Sequence, residues 1–155
     1  MASTISNATL TVTIKESITL KGKEQGGTTT LSISDINEIS KRIVTATTTE
    51  ATILTFSSAI GAGTYIAANV RYMRFTNLDD TNHITLTFKD EDNTEFRVKV
   101  DAGQSFIYNA DSSGGFVDTM KAAGSALASG LADLYDVTVD ADTASCDLEI
   151  FIASA

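Results

Sequence analysis

The chain has 155 residues and a mass of 16.4 kDa, which fits one globular domain and argues against two. Hydrophobic residues make up 43% and charged residues 20%, a balance that excludes wholesale disorder. Twenty acidic residues against 11 basic ones give a net charge of −9. Because no basic stripe is present, this charge argues against a nucleic-acid-binding protein and against a protein that docks on an anionic membrane.

The composition also favours β structure. Proline and tryptophan are absent, whereas 23 threonines and 15 serines put a small hydroxyl on 38 of the 155 residues. β-Branched threonine at this density favours strands and disfavours long helices. The alternation of apolar and polar residues along most of the chain predicts an all-β fold, an antiparallel β-sandwich that is jelly-roll-like.

The first alternating segment carries five apolar residues, Leu10, Val12, Ile14, Ile18 and Leu20. A glycine-containing turn at residues 22–27 separates it from the next alternating segment. We therefore predict an N-terminal strand arm over residues 1–21 and a single sandwich domain over residues 22–155. The five apolar residues are candidate partner-binding residues, because a terminal strand can pair with a neighbouring subunit. An edge strand of the chain's own sandwich is the alternative.

A short helix is the expectation around residues 34–43. Asp35 resembles a helix cap, with Glu38 three residues later, and Ile36, Ile39 and Ile43 would then share one face. This pattern favours one or two helical turns.

The later segments alternate more regularly. Residues 51–56, 70–75, 135–139 and 144–152 read as strands, and the last has Cys146, Leu148, Ile150 and Ile152 on one face. Both faces of the 70–75 strand are expected to be covered. The clearest hairpin spans residues 83–100, which we place at the centre of the sandwich. The Gly/Ala/Ser-rich stretch near 112–132 predicts an insertion, either a weak helix or a loop.

Candidate chemistry is sparse. His83, the single histidine, stands on a polar strand face, and Cys146 is expected to be a buried, inert thiol. Residues 90–101 lack the glycine and the glutamate that an EF-hand calcium loop requires at its sixth and twelfth positions. No phosphate-binding loop or nucleophile elbow occurs. We predict no catalytic residues, no metal site and no cofactor, and therefore no enzymatic activity. With no charged start and no apolar run after Met1, we expect synthesis in the cytoplasm without export.

Five runs of the sequence carry a family resemblance: Gly22–Glu24 leading to Ile36–Glu38, Lys41–Val44, Tyr72–Asp79, Asp101–Ile107 and Ala141–Ile150. Together they resemble small virion structural proteins of tailed bacteriophages, of the marine or cyanobacterial phage type. The likeness covers roughly residues 10–152, and residues 112–132 are the divergent part.

The resemblance implies a capsid decoration protein that binds the head surface as a homo-oligomer. Alternatives are a neck or tail accessory or fibre-adaptor protein and, from another class, a module that binds host glycans. The implied partners are copies of the chain itself together with the major capsid protein or neck and tail proteins. The implied location is the virion, assembled in the host cytoplasm.

Overall fold

The computed structural model describes residues 6–59, 61, 63–91, 93–109, 117–118 and 132–155, and here regular structure is almost entirely β. One 3₁₀ turn, Ala67–Asn69, joins two strands. The strands are β1 (Ala8–Lys15), β2 (Thr19–Leu20), β3 (Lys23–Glu24), β4 (Thr28–Ile36), β5 (Glu38–Ala46), β6 (Ala51–Ser57), β7 (Thr64–Ile66), β8 (Val70–Asn77), β9 (Ile84–Asp90), β10 (Glu95–Val100), β11 (Ser105–Asn109), β12 (Val117–Asp118), β13 (Ala132–Ala141) and β14 (Cys146–Ser154).

Two sheets face each other across the core. Sheet I has the strand order β10-β9-β13-β6-β7, with β12 added to β13, and sheet II has the order β11-β8-β14-β5. All these pairs are antiparallel except β6 with β7, which is parallel. Fully buried side chains from both sheets, Leu54, Phe75, Phe88, Leu148 and Ile150 among them, fill the space between them. The predicted antiparallel β-sandwich is confirmed.

The strand pairs are nested along the chain. β9 pairs with β10, β8 with β11, β6 with β13 and β5 with β14. The hairpin predicted over residues 83–100 is β9–β10, the pair that is closest along the chain. Its predicted place at the centre of the sandwich is wrong, because β10 is the edge strand of sheet I. These eight strands form four nested pairs divided between the two sheets. The jelly-roll-like topology stays a prediction.

Period-two alternation explains which side chains face the core. Cys146, Leu148, Ile150 and Ile152 of β14 are all buried, as the sequence predicts. The expectation for residues 70–75 is also confirmed, because β8 is buried on both of its faces. One face contributes to the core between the sheets, and the other lies beneath the N-terminal strands.

The prediction of a helix around residues 34–43 is wrong. Asp35 lies in β4 with a φ of +61°, at an irregularity where β1 pairs first with Ile33 and then with Ile36. β5 begins immediately afterwards, and its strand period leaves Ile39 and Ile43 exposed. The capping signal therefore belongs to a β-bulge, which gives the chain its bend between β4 and β5.

Residues 8–36 form one long hairpin, which we call the ribbon. β1 pairs with β4 from Ala8↔Ile36 to Lys15↔Thr28, and β2 pairs with β3 at the far end. Lys21 and Gly22 make the two-residue turn there, both with positive φ. The pairing partner of β1 thus lies beyond residue 21, so β1 shares one structural unit with β4 across the division predicted there.

The insertion predicted near 112–132 lies outside the described residues, apart from 117–118 and residue 132. In the part of the chain that the structure describes, no helix has the length and apolar character needed to cross a membrane.

Candidate functional site

The base of the ribbon packs on the outer face of sheet II. Leu10 and Val12 of β1 are half-buried there against a small second cluster. Its buried members are Ile36, Tyr72 and Ala153. Tyr72 and Phe151 add an edge-to-face aromatic contact with ring centres 6.0 Å apart. This cluster fixes the ribbon to the sandwich.

The ribbon exposes four large apolar side chains beside its lysines and glutamates. Ile14, Ile18 and Leu20 are 47%, 56% and 58% exposed, and Leu31 on β4 is 40% exposed. We call these four residues the apolar end of the ribbon. Of the five predicted partner-binding residues, Leu10 and Val12 contact the chain's own sheet, whereas Ile14, Ile18 and Leu20 remain available. Sequence reasoning missed Leu31, which pairs with Val12, because nothing local signals that β4 is the partner of β1.

Glu24 holds the end of the ribbon in shape. Its carboxylate accepts hydrogen bonds from the backbone N–H groups of Ile18 (3.0 Å) and Gly26 (2.8 Å) and from the Thr19 hydroxyl (3.5 Å). The two backbone hydrogen bonds, Ile18 first, lower the pKa of Glu24 below its usual value. The end of the ribbon is therefore ordered, so little conformational entropy remains to be lost when it binds.

Gly26 is required by close backbone approach. A Cβ at this position would lie 2.0 Å from the carbonyl oxygen of Glu16, whereas at Gly27 it would meet only a side-chain oxygen of Glu16, at 3.8 Å. We expect Gly26→Ala to destabilise the end of the ribbon by about 1–3 kcal/mol, as overpacking does, and Gly27→Ala to be tolerated. Amide hydrogen exchange at Ile18 and Gln25 measures this. Equal exchange in the two variants would contradict the close approach.

A cleft of about 330 Å³ lies between β1 and the outer face of sheet II. One wall is β1 from Leu10 to Ile14, and the other includes Tyr72, Ile107 and Phe151. The cleft is therefore mainly apolar and opens beside β1.

An ion-pair network lies on the same face of sheet II. Glu149 contacts Lys41 at 3.0 Å and Arg74 at 2.7 Å. Hydrogen bonds from Lys41 and then Arg74 hold the pKa of Glu149 below its usual value. The network ties β5, β14 and β8 together beside the cleft.

This network predicts a pH-dependent contribution to stability. A lowered folded pKa means that Glu149 stabilises the fold above about pH 4.5 and loses that effect as pH falls through the folded value. We expect Glu149→Gln to cost about 0.2–1 kcal/mol at neutral pH, with the difference from the wild type shrinking under acid. Urea unfolding at several pH values measures it. Asp101→Asn is the matched control, since Asp101 and its partner Lys99 are more than half exposed. A deficit that persists under acid would contradict the assignment.

Two further isoleucines are exposed on β5. Ile39 and Ile43 are 59% and 60% exposed and flank Lys41 on the outer face of sheet II. Helical spacing would place them on one face of a helix, whereas the strand period places them on the surface of the sheet. They form a second, smaller apolar patch.

The outer face of sheet I is polar. Glu50 accepts a hydrogen bond from Thr138 at 2.5 Å and lies 3.4 Å from Lys89, and the Thr138 bond is the main reason that the pKa of Glu50 is lowered. Burial raises the pKa of the neighbouring Asp136, whose Oδ1 has no hydrogen-bond partner. These contacts connect β9 and β13 with the segment before β6.

A second cleft, of about 610 Å³, opens beside β6, β7 and β13. Tyr135, which is 54% exposed, lies at its edge. Thr55, Ser57, Thr64 and Glu91 also line it. Sequence reasoning did not single out this group, because the members come from four separate segments.

The residues considered for chemistry are dispersed. His83 Nδ1 lies 3.6 Å from Asp142, and Cys146 is fully buried with its thiol pKa raised by burial. The Asp90 carboxylate accepts a hydrogen bond from the N–H of Thr94, which closes the β9–β10 turn. Among the described residues, no three His, Cys, Asp or Glu side chains converge in a set that could hold a metal ion.

No protein-family model, curated protein or solved structure is significantly similar to the chain. The described residues therefore define only a type of surface. It is an ordered β-ribbon whose apolar end projects from a β-sandwich.

Proposed function

We propose that this chain is a non-enzymatic structural protein of a tailed-phage virion, most simply a capsid decoration protein that binds the head surface as a homo-oligomer. The resemblance of the five sequence runs suggests the class. The proposal rests on the apolar end of the ribbon. Its exposed side chains offer a binding surface that lies outside the core of the sandwich.

The energetics support attachment through this end. Ile18 and Leu20 are little more than half exposed, so their full burial would contribute roughly half of the 1.5–3 kcal/mol that burying a whole side chain of this kind provides. A flexible arm would lose much of this gain, because ordering a residue costs about 1–2 kcal/mol. Here the β1–β4 pairing and the Glu24 hydrogen bonds have already ordered the segment.

Binding to particles tests the proposal. We expect the double variant Ile18→Ser with Leu20→Ser to stay folded and to lose co-sedimentation with purified heads that lack the protein. The matched control is Ile39→Ser with Ile43→Ser, which removes equally exposed side chains from β5. The proposal fails if the ribbon variant binds heads as well as the wild type, or if the wild-type chain does not bind them.

A neck or tail accessory protein, such as a fibre adaptor, is the alternative within the virion. The number of copies of the protein in purified virions distinguishes the head surface from the neck or tail. Hundreds of copies indicate the head surface, and about six to twelve indicate the neck or tail, where subunits form closed rings.

The cleft beside Tyr135 favours a second candidate function, a module that binds host glycans. An exposed tyrosine ring offers an apolar face to a sugar ring, and the surrounding hydroxyl groups and Glu91 offer hydrogen bonds to sugar hydroxyls. A glycan array with the wild-type chain and Tyr135→Ala tests this. Specific binding that the variant loses would support the module, and no binding by the wild type would reject it.

A further inference from the structure

Within the described residues, the unpaired edge of β1 carries a single charged side chain, Lys15 at the end of the strand. β1 pairs with β4 on one side, and in the described part of the chain no strand pairs with its other side. Residues 6–14 contain neither a charge nor a proline. Natural proteins normally protect such edges with lysine, proline or a cover, because an open edge can add another strand.

Charge indicates which partner this edge can accept. The ribbon holds three lysines and three carboxylates, so residues 37–155 carry the whole net charge of −9, with eight basic against seventeen acidic residues. Two copies of the chain therefore repel each other through their sandwiches and do not repel each other through their ribbons.

The two ends of the ribbon also carry opposite charges. Beyond Ile14, its far half carries three lysines against two glutamates, Glu16 and Glu24, whereas its base carries Asp35 beside Asn7, at 3.3 Å. Antiparallel pairing of two ribbons sets the lysine-bearing half of each beside the acidic base of the other. Parallel pairing would place like ends together.

We propose that β1 pairs antiparallel with β1 of a second copy about a two-fold axis, so that two ribbons form one four-stranded sheet. Val12 then faces Val12 of the second copy, and Leu10 faces Ile14. This register sets Leu10, Val12 and Ile14 of the two copies against one another, beside the cleft whose walls include Ile107 and Phe151. It leaves Ile18 and Leu20 free for a particle.

The pairing deepens the self-association in the proposed function, and it is tested on the isolated chain, without particles. Sedimentation velocity over about 1–100 μM should show a species of twice the 16.4 kDa chain mass. A failure here with particle binding retained would overturn only the pairing. Loss of particle binding with the dimer intact would overturn only the proposed function.

Thr11 and Thr13 provide the decisive variants. Both are exposed, and the proposed register sets Thr11 of one copy opposite Thr13 of the other. Thr11→Lys with Thr13→Lys opposes like charges twice and should raise the dissociation constant about tenfold or more. Thr11→Lys with Thr13→Glu opposes unlike charges at the same positions and should keep the dimer.

The cross-strand neighbours of Thr11 and Thr13 on β4 provide the matched control variant. Ser32 pairs with Thr11 and Thr30 pairs with Thr13 within the ribbon, so Ser32→Lys with Thr30→Lys adds the same charge on the other strand. This variant should remain dimeric. The proposal is overturned if the wild type is monomeric throughout, if trimers or larger species form, if the two Thr11/Thr13 variants behave alike, or if the β4 variant dissociates instead.

Discussion

Phe88→Ala is expected to destabilise the fold by about 3–5 kcal/mol, the range for removal of a buried phenylalanine. The Phe88 ring is fully buried at the centre of an aromatic group that spans both sheets. Its centre lies 4.8 Å from that of Phe96, 5.4 Å from those of Phe106 and Tyr108, and 5.7 Å from that of Phe75. Truncation removes contacts to all four rings and leaves a cavity that a closed sandwich cannot readily fill.

Chemical denaturation monitored by circular dichroism measures this loss. Tyr135→Ala is the control, because it removes a comparable ring that is already 54% exposed and should change stability by less than about 1 kcal/mol. Equal losses in the two variants would mean that the aromatic group does not hold the sheets together.

Asn77→Ala is expected to cost about 2–4 kcal/mol, since each buried polar group left without a partner costs about 1–3 kcal/mol. Asn77 is fully buried at the end of β8. Its Nδ2 donates to the carbonyls of Asn82 (2.9 Å) and Val100 (3.2 Å), and its Oδ1 accepts from the N–H of Asp79 (3.1 Å). One side chain thus joins two turns at the same end of the sandwich.

A second variant separates hydrogen bonding from packing. Asn77→Asp keeps the shape and loses both donated hydrogen bonds, so at neutral pH it should be at least as destabilising as alanine. Thr81→Ala in the same turn removes an exposed hydroxyl bonded to Asp80 and should change stability by less than about 0.5 kcal/mol. A stable Asn77→Asp variant would show that the donated hydrogen bonds contribute little.

The sandwich could be predicted from the sequence because period-two alternation reports directly which side chains are buried. Leu86 and Phe88 on β9 and Val98 on β10 show this alternation, and they lie where the pattern places them. Burial of Asn77 could not be read in this way. A polar residue before a turn looks exposed until the carbonyls that it satisfies are brought to it by other segments.

The region around Asp35 shows why a local signal can be misleading. Asp35 and Glu38 satisfy the spacing of a capping box, and three isoleucines satisfy helical spacing. The pairing of β1 with β4, which spans up to 28 residues, outweighs these preferences and turns Asp35 into a bulge residue. Tertiary pairing routinely overrides such weak local propensities.

The candidate site was predicted in part. The sequence selects the apolar face of Leu10, Val12 and Ile14 correctly, since all three alternate with threonine. It does not reveal that half of this face is already occupied by Tyr72 and Phe151, because that depends on how the ribbon folds back over sheet II. The division at residue 21 and the assignment of a partner to these residues stay predictions.

The nested pairing of the strands also governs when the chain can fold during its synthesis. β5 pairs with β14 from Glu38↔Ser154 onward, so residues near the start of the sandwich wait for a strand that is synthesised much later. Until β14 leaves the ribosome, β5 lacks its partner and β8 lacks one of its two neighbours. Contacts this distant along the chain are closed slowly. The ribbon and the β9–β10 hairpin, which pair locally, can form first, and sheet II can be completed only once β14 has been synthesised.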